Sequence, residues 1–321
     1  MSVTGIVLAA GKSTRMKTRK AKALHQVCGR PMLHYVLRTC WDAGCDRVLV
    51  VVGHEKEQII ARYGSDRRIA WVEQTEQLGT GHAAKACEAE LAKHKSDVFI
   101  LTSDGPLVRA EVLKTLWKAH KEEHADATMG TCVMDDPTGY GRIIRDAKGE
   151  FVEIIEELDC TPEQRELREV FPSLYCVKSE ELLYAFARLK NQNKKHEYYL
   201  TDIFGILRAA GRKITAVQAV AQEDVLGVNT RQQLAEVDAL MQDRIQRQHR
   251  ENGVTIVSTA ATYIEDGVSI GPDTVVQPFT FIGRDSSIGG DCQIGPFAHV
   301  PRESIVPEGT TVTGEAARIA P

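Results

Sequence analysis

From Tyr263 onward an aliphatic residue recurs at every sixth position: Ile264, Ile270, Val276, Ile282, Ile288, Ile294, Val300, Val306 and Val312. Glycine follows four of them, at Gly271, Gly283, Gly289 and Gly295. Small or compact residues stand two positions ahead, at Val268, Thr274, Thr280, Ser286, Cys292, Ala298, Ser304 and Thr310. A six-residue repeat builds one flat face per repeat and points each aliphatic side chain at a common axis, which is the hexapeptide β-helix pattern. The period stops at Arg318, so the solenoid is short, about three coils. Its open end then needs a cover, either the preceding helix or another subunit.

The preceding residues follow another plan. Val3–Leu8, Arg47–Val52, Ile69–Val72 and Val98–Leu101 read as strands buried on both faces. Between them, residues 31–43, 56–63 and 82–91 carry apolar side chains at helical spacing. Strands alternating with helices argue for a parallel sheet covered by helices. Residues 127–133, 151–155, 173–177 and 213–217 extend it. Residues 229–252 form an amphipathic connecting helix whose stripe is Leu234, Val237, Leu240, Met241 and Ile245. The expected organisation is therefore residues 1–228, a connector at 229–252, and a repeat domain at 253–321. A length of 321 residues accommodates two such domains.

Composition narrows the function classes. Hydrophobic residues at 43% and charged residues at 26% exclude long disorder. No apolar run nears the roughly 18 residues of a membrane span, and the N-terminal basic cluster follows its apolar run, unlike a signal peptide. A net charge of −4 excludes a generally polyanion-binding surface but leaves room for a local basic pocket. Eight cysteines form no C-x-x-C pair and no zinc spacing, as expected of reduced thiols in a cytoplasmic protein.

The segment Leu8-Ala-Ala-Gly-Lys-Ser-Thr-Arg-Met16 follows the first strand directly. Its Gly-Lys-Ser invites a Walker A reading, but the glycine spacing is wrong and Ile6, Val7 and Leu8 belong to the strand. What remains is a small-residue turn, Ala9-Ala10-Gly11, trailed by Lys12, Arg15, Lys17, Arg19, Lys20 and Lys22. Small residues let backbone N–H groups approach a ligand, and convergent cations offset a polyphosphate's charge. A solvated basic loop fits these residues equally well. Nucleic acid fits less well, because no aromatic is interleaved between Arg15 and Lys22 to stack bases.

Four further stretches occur downstream: Glu76-Gln-Leu-Gly-Thr-Gly-His-Ala83, Pro137-Thr-Gly-Tyr-Gly-Arg-Ile143, Glu197-Tyr-Tyr-Leu-Thr-Asp202 and Gly227-Val-Asn229. In order, and with the glycine loop and Lys22, they resemble the bacterial N-acetylglucosamine-1-phosphate uridylyltransferase family (GlmU-type sugar-phosphate nucleotidyltransferases). The resemblance covers nearly the whole chain. It implies a Rossmann-like pyrophosphorylase domain, a long connecting helix and a left-handed hexapeptide β-helix. It implies an enzyme of cell-wall biogenesis that joins UTP to N-acetylglucosamine 1-phosphate with Mg²⁺ and releases pyrophosphate, with neither nucleic acid nor membrane as partner. By position, Leu8, Ala9, Ala10, Gly11, Gln74, Gly79 and Thr80 hold the uridine, with Thr102 and Ser103 beside them. Lys22 and Arg15 serve the phosphates, Asp104 and Asn229 bind Mg²⁺, and Gly141, Glu156, Thr201 and Asn229 surround the sugar. A homotrimer through the β-helix is the family's habit.

Each residue also has a plainer reading. Asp104-Gly-Pro is a good turn. Asn229, with Gln232 three residues on, is a good helix cap. Glu156 stands in an acidic cluster of the kind that is usually a solvated face, and His82 reads as a packed or surface histidine. The same chemistry on another hexose 1-phosphate or with dTTP, or a catalytically silent sugar-nucleotide-binding or assembly protein, are the alternatives.

The chain departs from the family pattern at Glu169-Val170-Phe171-Pro172-Ser173, where Phe171 replaces an asparagine that contacts the sugar in the family. An amide exchanged for a phenyl ring loses its hydrogen bonds, so sugar choice is expected to differ here. Thr102-Ser103 replaces Tyr-Gly, Ala21 replaces proline, and Ser13 replaces a loop glycine. Bifunctional members carry further coils with an acetyl-coenzyme A site and a catalytic histidine. This chain ends at Pro321 with His299 the only solenoid histidine, so a C-terminally shortened protein without acetyltransferase activity is expected.

Overall fold

The computed structural model describes residues 2–12, 14–193 and 196–314; Ser13 and the end of the repeat near Arg318 lie outside the described residues. The chain divides into two compact units, Met1–Leu24 with Met32–Asn229, and His25–Pro31 with Thr230–Pro321.

In chain order the strands are β1 (Val3–Leu8), β2 (Gln26–Val27), β3 (Arg30–Pro31), β4 (Arg47–Val52), β5 (Ile69–Glu73), β6 (Asp97–Thr102), β7 (Ala127–Val133), β8 (Gly141–Arg145), β9 (Phe151–Ile155), β10 (Glu169–Lys178) and β11 (Ile214–Gln218). All but the β2–β3 hairpin form one sheet ordered β11-β7-β10-β6-β1-β4-β5, with β8–β9 paired onto β10. Alternation along the strands feeds two cores. Val7, Val48, Val50, Phe99 and Leu101 pack with Leu33, Val36 and Leu37 of Met32–Asp42 and with Leu113 and Leu116 of Ala110–Glu122. Ile6, Leu49, Val51, Val98 and Ile100 pack on the other face with Ala83, Leu182, Phe186, Ile203 and Phe204. Helices on both faces explain why these strands read as continuous aliphatic runs. The fold is Rossmann-like.

The sheet is not wholly parallel as the alternation implied. β10 runs antiparallel to both β6 and β7. Parallel neighbours need a crossover of a dozen or more residues, usually a helix. Between β7 and β10 the chain instead makes the β8–β9 hairpin and the four-residue helix Pro162–Arg165, so it returns reversed.

In the second unit, strands of two or three residues stack in parallel at a register of 18 residues, Ile264↔Ile282↔Val300 and Ile270↔Ile288↔Val306. All nine repeat residues are buried. Glycine follows Ile270 and Ile288 because a Cβ there would stand 2.4 and 2.5 Å from backbone nitrogen of the next coil. Arg231–Glu251 is the long helix. It buries not only Val237 and Met241 of the expected stripe but also Gln242 and Gln246. The Gln242 amide donates to Ile264 O (2.6 Å) and accepts from Ile264 N (3.1 Å), and Gln246 donates to Thr262 O (2.8 Å). The helix thus satisfies backbone groups of the outermost coil, the edge that such sheets must cover.

Candidate active site

β1 and β6 lie side by side with Leu8 opposite Thr102, so both chains leave the sheet at the same carboxyl edge. Open α/β sheets bind ligands there. Ala9 N donates to Val51 O (2.8 Å) and Ser103 N to Leu8 O (3.0 Å), which pins both exits. A cavity of about 380 Å³ opens above them. Leu8, Ala9, Ala10, Gly11, Lys22, Gln74, Gly79, Thr80, Thr102, Ser103 and Asp104 all line it, with Lys12. Gly79 has φ +108, and a Cβ there would meet Tyr198 O at 2.6 Å, so only glycine fits. The buried Gln74 amide donates to Gly79 O at 3.2 Å. Gln77, which lies in the stretch at residues 76–83 but was given no role of its own, donates to Ala10 O at 2.9 Å and joins the wall.

A second cavity of about 500 Å³ shares Leu8, Thr80, Thr102 and Glu197 with the first. Arg15, Glu156 and Thr201 line it, and Thr201 Oγ1 donates to Glu156 Oε1 at 2.9 Å. Gly141 stands behind this wall, where a Cβ would meet Ile154 at 2.9 Å and Glu156 Oε2 at 3.8 Å; Gly139 is the wall residue. Ser173, Tyr175, Glu197 and Tyr199 also line the cavity and were missed; only Glu197 and Tyr199 lay in a quoted motif. The negative charge is felt: desolvation, then Glu156 and Asp159, push the Asp202 carboxyl up to about 6.

The departure at Phe171 has a different consequence from the one expected. Its ring does not line either cavity. It is buried, edge-on to Tyr175 at 4.8 Å and to Phe204 at 5.6 Å. The pairing of β10 with β7 is irregular between Val170 and Leu174, and within that irregularity Ser173 takes φ +60 and reaches the cavity.

Asn229 is not the helix cap. Thr230 is, with its hydroxyl accepting from Gln233 N (3.2 Å) and the Gln233 side chain accepting from Thr230 N (3.1 Å). That reciprocal pair satisfies the helix start and leaves Asn229 outside it. Asn229 Oδ1 accepts from Lys22 Nζ (2.8 Å) and from Arg15 Nη2 (2.9 Å), and Lys22 Nζ also pairs with the Asp104 carboxylate. Lys12, Arg15, Lys17, Arg19 and Lys20 are all exposed, and from that run Arg15 reaches Asn229, where it meets the half-buried Lys22. One carboxylate and one amide oxygen converging on a single cation form a hard-oxygen pair that suits Mg²⁺ with phosphate completing its shell. Among the described residues no group of three or more His, Cys, Asp or Glu could hold a metal unaided. None of their helices is long and apolar enough to cross a membrane.

Residues 5–198, which contain the glycine loop, both cavities' shared wall and Asp104, match the family described as MobA-like NTP transferase domain. The chain belongs to that family. This NTP transferase chain is 42% identical over 280 residues to the bifunctional protein GlmU of Brevibacillus brevis, covering 87% of the chain and 60% of the relative. It is 39% identical over 318 residues to the GlmU of Heliobacterium modesticaldum, covering 99% and 64%. It therefore spans about three fifths of the length of the curated relatives it matches. A solved UDP-glucose pyrophosphorylase complexed with UDP-glucose shares the fold, with a TM-score of 0.63 at 18% identity over 76% of this chain and 100% of that one.

Proposed function

We propose that this chain is a uridylyltransferase joining UTP to N-acetylglucosamine 1-phosphate, giving UDP-N-acetylglucosamine and pyrophosphate. The observation that carries this reading is the pair of cavities sharing one wall, with Arg15 on the larger, Lys22 on the smaller, and both bonded to Asn229. The smaller cavity takes the nucleotide, with the Gln74 amide on the base. The larger takes the sugar, whose hydroxyls meet Glu156 and Thr201.

The phosphate oxygen of the sugar 1-phosphate attacks the α-phosphorus of UTP, and the bond from that phosphorus to the bridging oxygen breaks to release pyrophosphate. The nucleophile is already an oxyanion, so positioning and charge neutralisation suffice and no general base is required. Lys22 and Arg15 offset the phosphoryl charge as the two anions approach. A Mg²⁺ ion held by Asp104 and Asn229 supplies further neutralisation of the triphosphate when bound.

A second reading keeps the chemistry and changes the sugar. It is favoured by Phe171 being folded into the core while Ser173 takes the wall. A panel of sugar 1-phosphates with UTP and Mg²⁺, followed by pyrophosphate release, decides between the two. The highest kcat/KM is expected with N-acetylglucosamine 1-phosphate; a higher value with another hexose establishes the second reading. Pyrophosphate release with none of them would overturn both in favour of a silent sugar-nucleotide binder.

A further inference from the structure

We propose that His82 is a positioning residue that sets nucleobase choice by fixing which end of the Gln74 amide faces the base; the inference rests on the nucleotide reading of the smaller cavity. Gln74 Nε2 lies 3.2 Å from Gly79 O and 3.2 Å from His82 Nδ1. A backbone carbonyl only accepts, so the group facing Gly79 O is the amide NH₂ and not the amide oxygen. The second hydrogen of that NH₂ then falls to His82 Nδ1, which accepts it and carries its own proton on Nε2. His82 does not line the cavity; it stands behind Gln74, half-buried, its ring tilted against Tyr198 at a centroid distance of 6.2 Å.

With both hydrogens of the NH₂ engaged, Gln74 Oε1 is the atom the side chain offers to a base. It is an acceptor. Uracil carries N3–H at its pairing edge and complements it; cytosine carries an N3 lone pair there and opposes it. To serve cytosine the amide must turn over, which loses both hydrogen bonds and sets two carbonyl oxygens against each other at Gly79. A buried site built to hydrogen-bond one edge rejects the other strongly, because the mismatch leaves polar groups unpaired. His82 supplies half of the restraint, and it comes from the helix Thr80–Lys85 that directly follows Gly79.

The test compares kcat/KM for UTP and CTP with a fixed sugar 1-phosphate. Wild type is expected to prefer UTP by about a hundredfold or more. His82→Leu should narrow that ratio about tenfold, chiefly by raising KM for UTP, with KM for the sugar 1-phosphate unmoved. His82→Asn, whose Oδ1 takes the place of Nδ1, should restore the ratio. If His82→Leu does not fold, His82→Gln, which keeps bulk but sets its acceptor at the Nε2 position, should narrow the ratio in the same way. A purely structural role for His82 would weaken both nucleotides alike and leave the ratio intact, and that result overturns the inference. So does a wild-type enzyme that uses CTP as well as UTP, or an asparagine variant as unselective as the leucine one. No UTP turnover by wild type would instead overturn the nucleotide reading itself, and the inference with it.

Discussion

Lys22 Nζ lies 2.8 Å from Asn229 Oδ1, across 207 residues of chain. The same ammonium pairs with Asp104, so the two oxygens suited to a divalent ion are bridged by a cation that belongs to the protein. Under the proposed function, the added negative charge of a bound triphosphate would draw Lys22 toward it, and Asp104 and Asn229 would then be the oxygens left to hold Mg²⁺.

Lys22→Met and Asp104→Ala should each lower the rate of pyrophosphate release about a hundredfold or more at saturating Mg²⁺, because each removes charge stabilisation at the reacting phosphates. Both side chains keep only about a fifth of their surface exposed, so removing one partner of this partly buried pair should cost about 1–2 kcal/mol, more than a surface pair. Thermal melts within a few degrees of wild type, with transfer collapsed, are the expected outcome.

Leu8, Ala9, Ala10 and Gly11 of the smaller cavity were legible in the sequence, because a strand end runs straight into a small-residue turn; Gln74, Gly79, Thr80, Thr102 and Ser103, far along the chain from that turn, came only from the family resemblance. Other parts were not. Asn229 and Thr230 are both good capping types with a glutamine three residues on, and only the structure shows that Thr230 takes the helix and leaves Asn229 to Lys22. Ser173 reaches the larger cavity through an irregularity of β10 that no propensity announces. Gln242 and Gln246 read as a polar face but are buried, because the backbone at 262–264 needs partners that the repeat cannot supply to its own first coil.

Phe171→Asn is the substitution a comparison of sequences would choose to restore a sugar contact. It should not do so. Phe171 is 3% exposed and packs against Tyr175 and Phe204. Removing the ring and burying an amide without assured partners should cost about 3–4 kcal/mol, read as a lower urea midpoint. The order of preference among sugar 1-phosphates should stay that of wild type.

Asp97, buried at the start of β6, is one carboxylate through which acid should weaken the fold. Burial alone would push its carboxyl up, but the Lys121 ammonium paired with it, the Trp117 indole donating at 2.8 Å and the His120 ring 3.6 Å away outweigh this and hold it well below the usual carboxylate range. A pKa lower in the native than in the unfolded chain stabilises the fold fully above the unfolded value near 3.8 and is lost as pH falls below it. Wild-type stability should therefore drop steeply below about pH 4. Asp97→Asn should be about 3 kcal/mol less stable at neutral pH, since it leaves the Lys121 charge without its buried partner, and should show a flatter acid limb. Urea melts from pH 7 down to pH 3 read both effects.

Arg142 is 1% exposed, an unusual place for a guanidinium. It donates to Tyr140 O and to Arg165 O (3.3 Å) and pairs with Glu157 Oε2 at 2.8 Å, an oxygen that also accepts from Gly139 N at 3.3 Å. Gly139 and Glu157 both line the larger cavity, so one buried cation fixes two segments of its wall. Arg142→Met strands two carbonyls and a carboxylate together and should cost about 3 kcal/mol or more in a urea melt. Glu157→Gln is gentler, because an amide oxygen can still accept from Arg142 and Gly139 while the charge-assisted strength is lost. It should raise KM for the sugar 1-phosphate several-fold and leave KM for UTP where it was, since among the described residues the partners of Glu157 are Arg142 and Gly139, neither of which lines the smaller cavity. Equal changes in both constants would mean that the wall segment serves the whole cleft and not the sugar side.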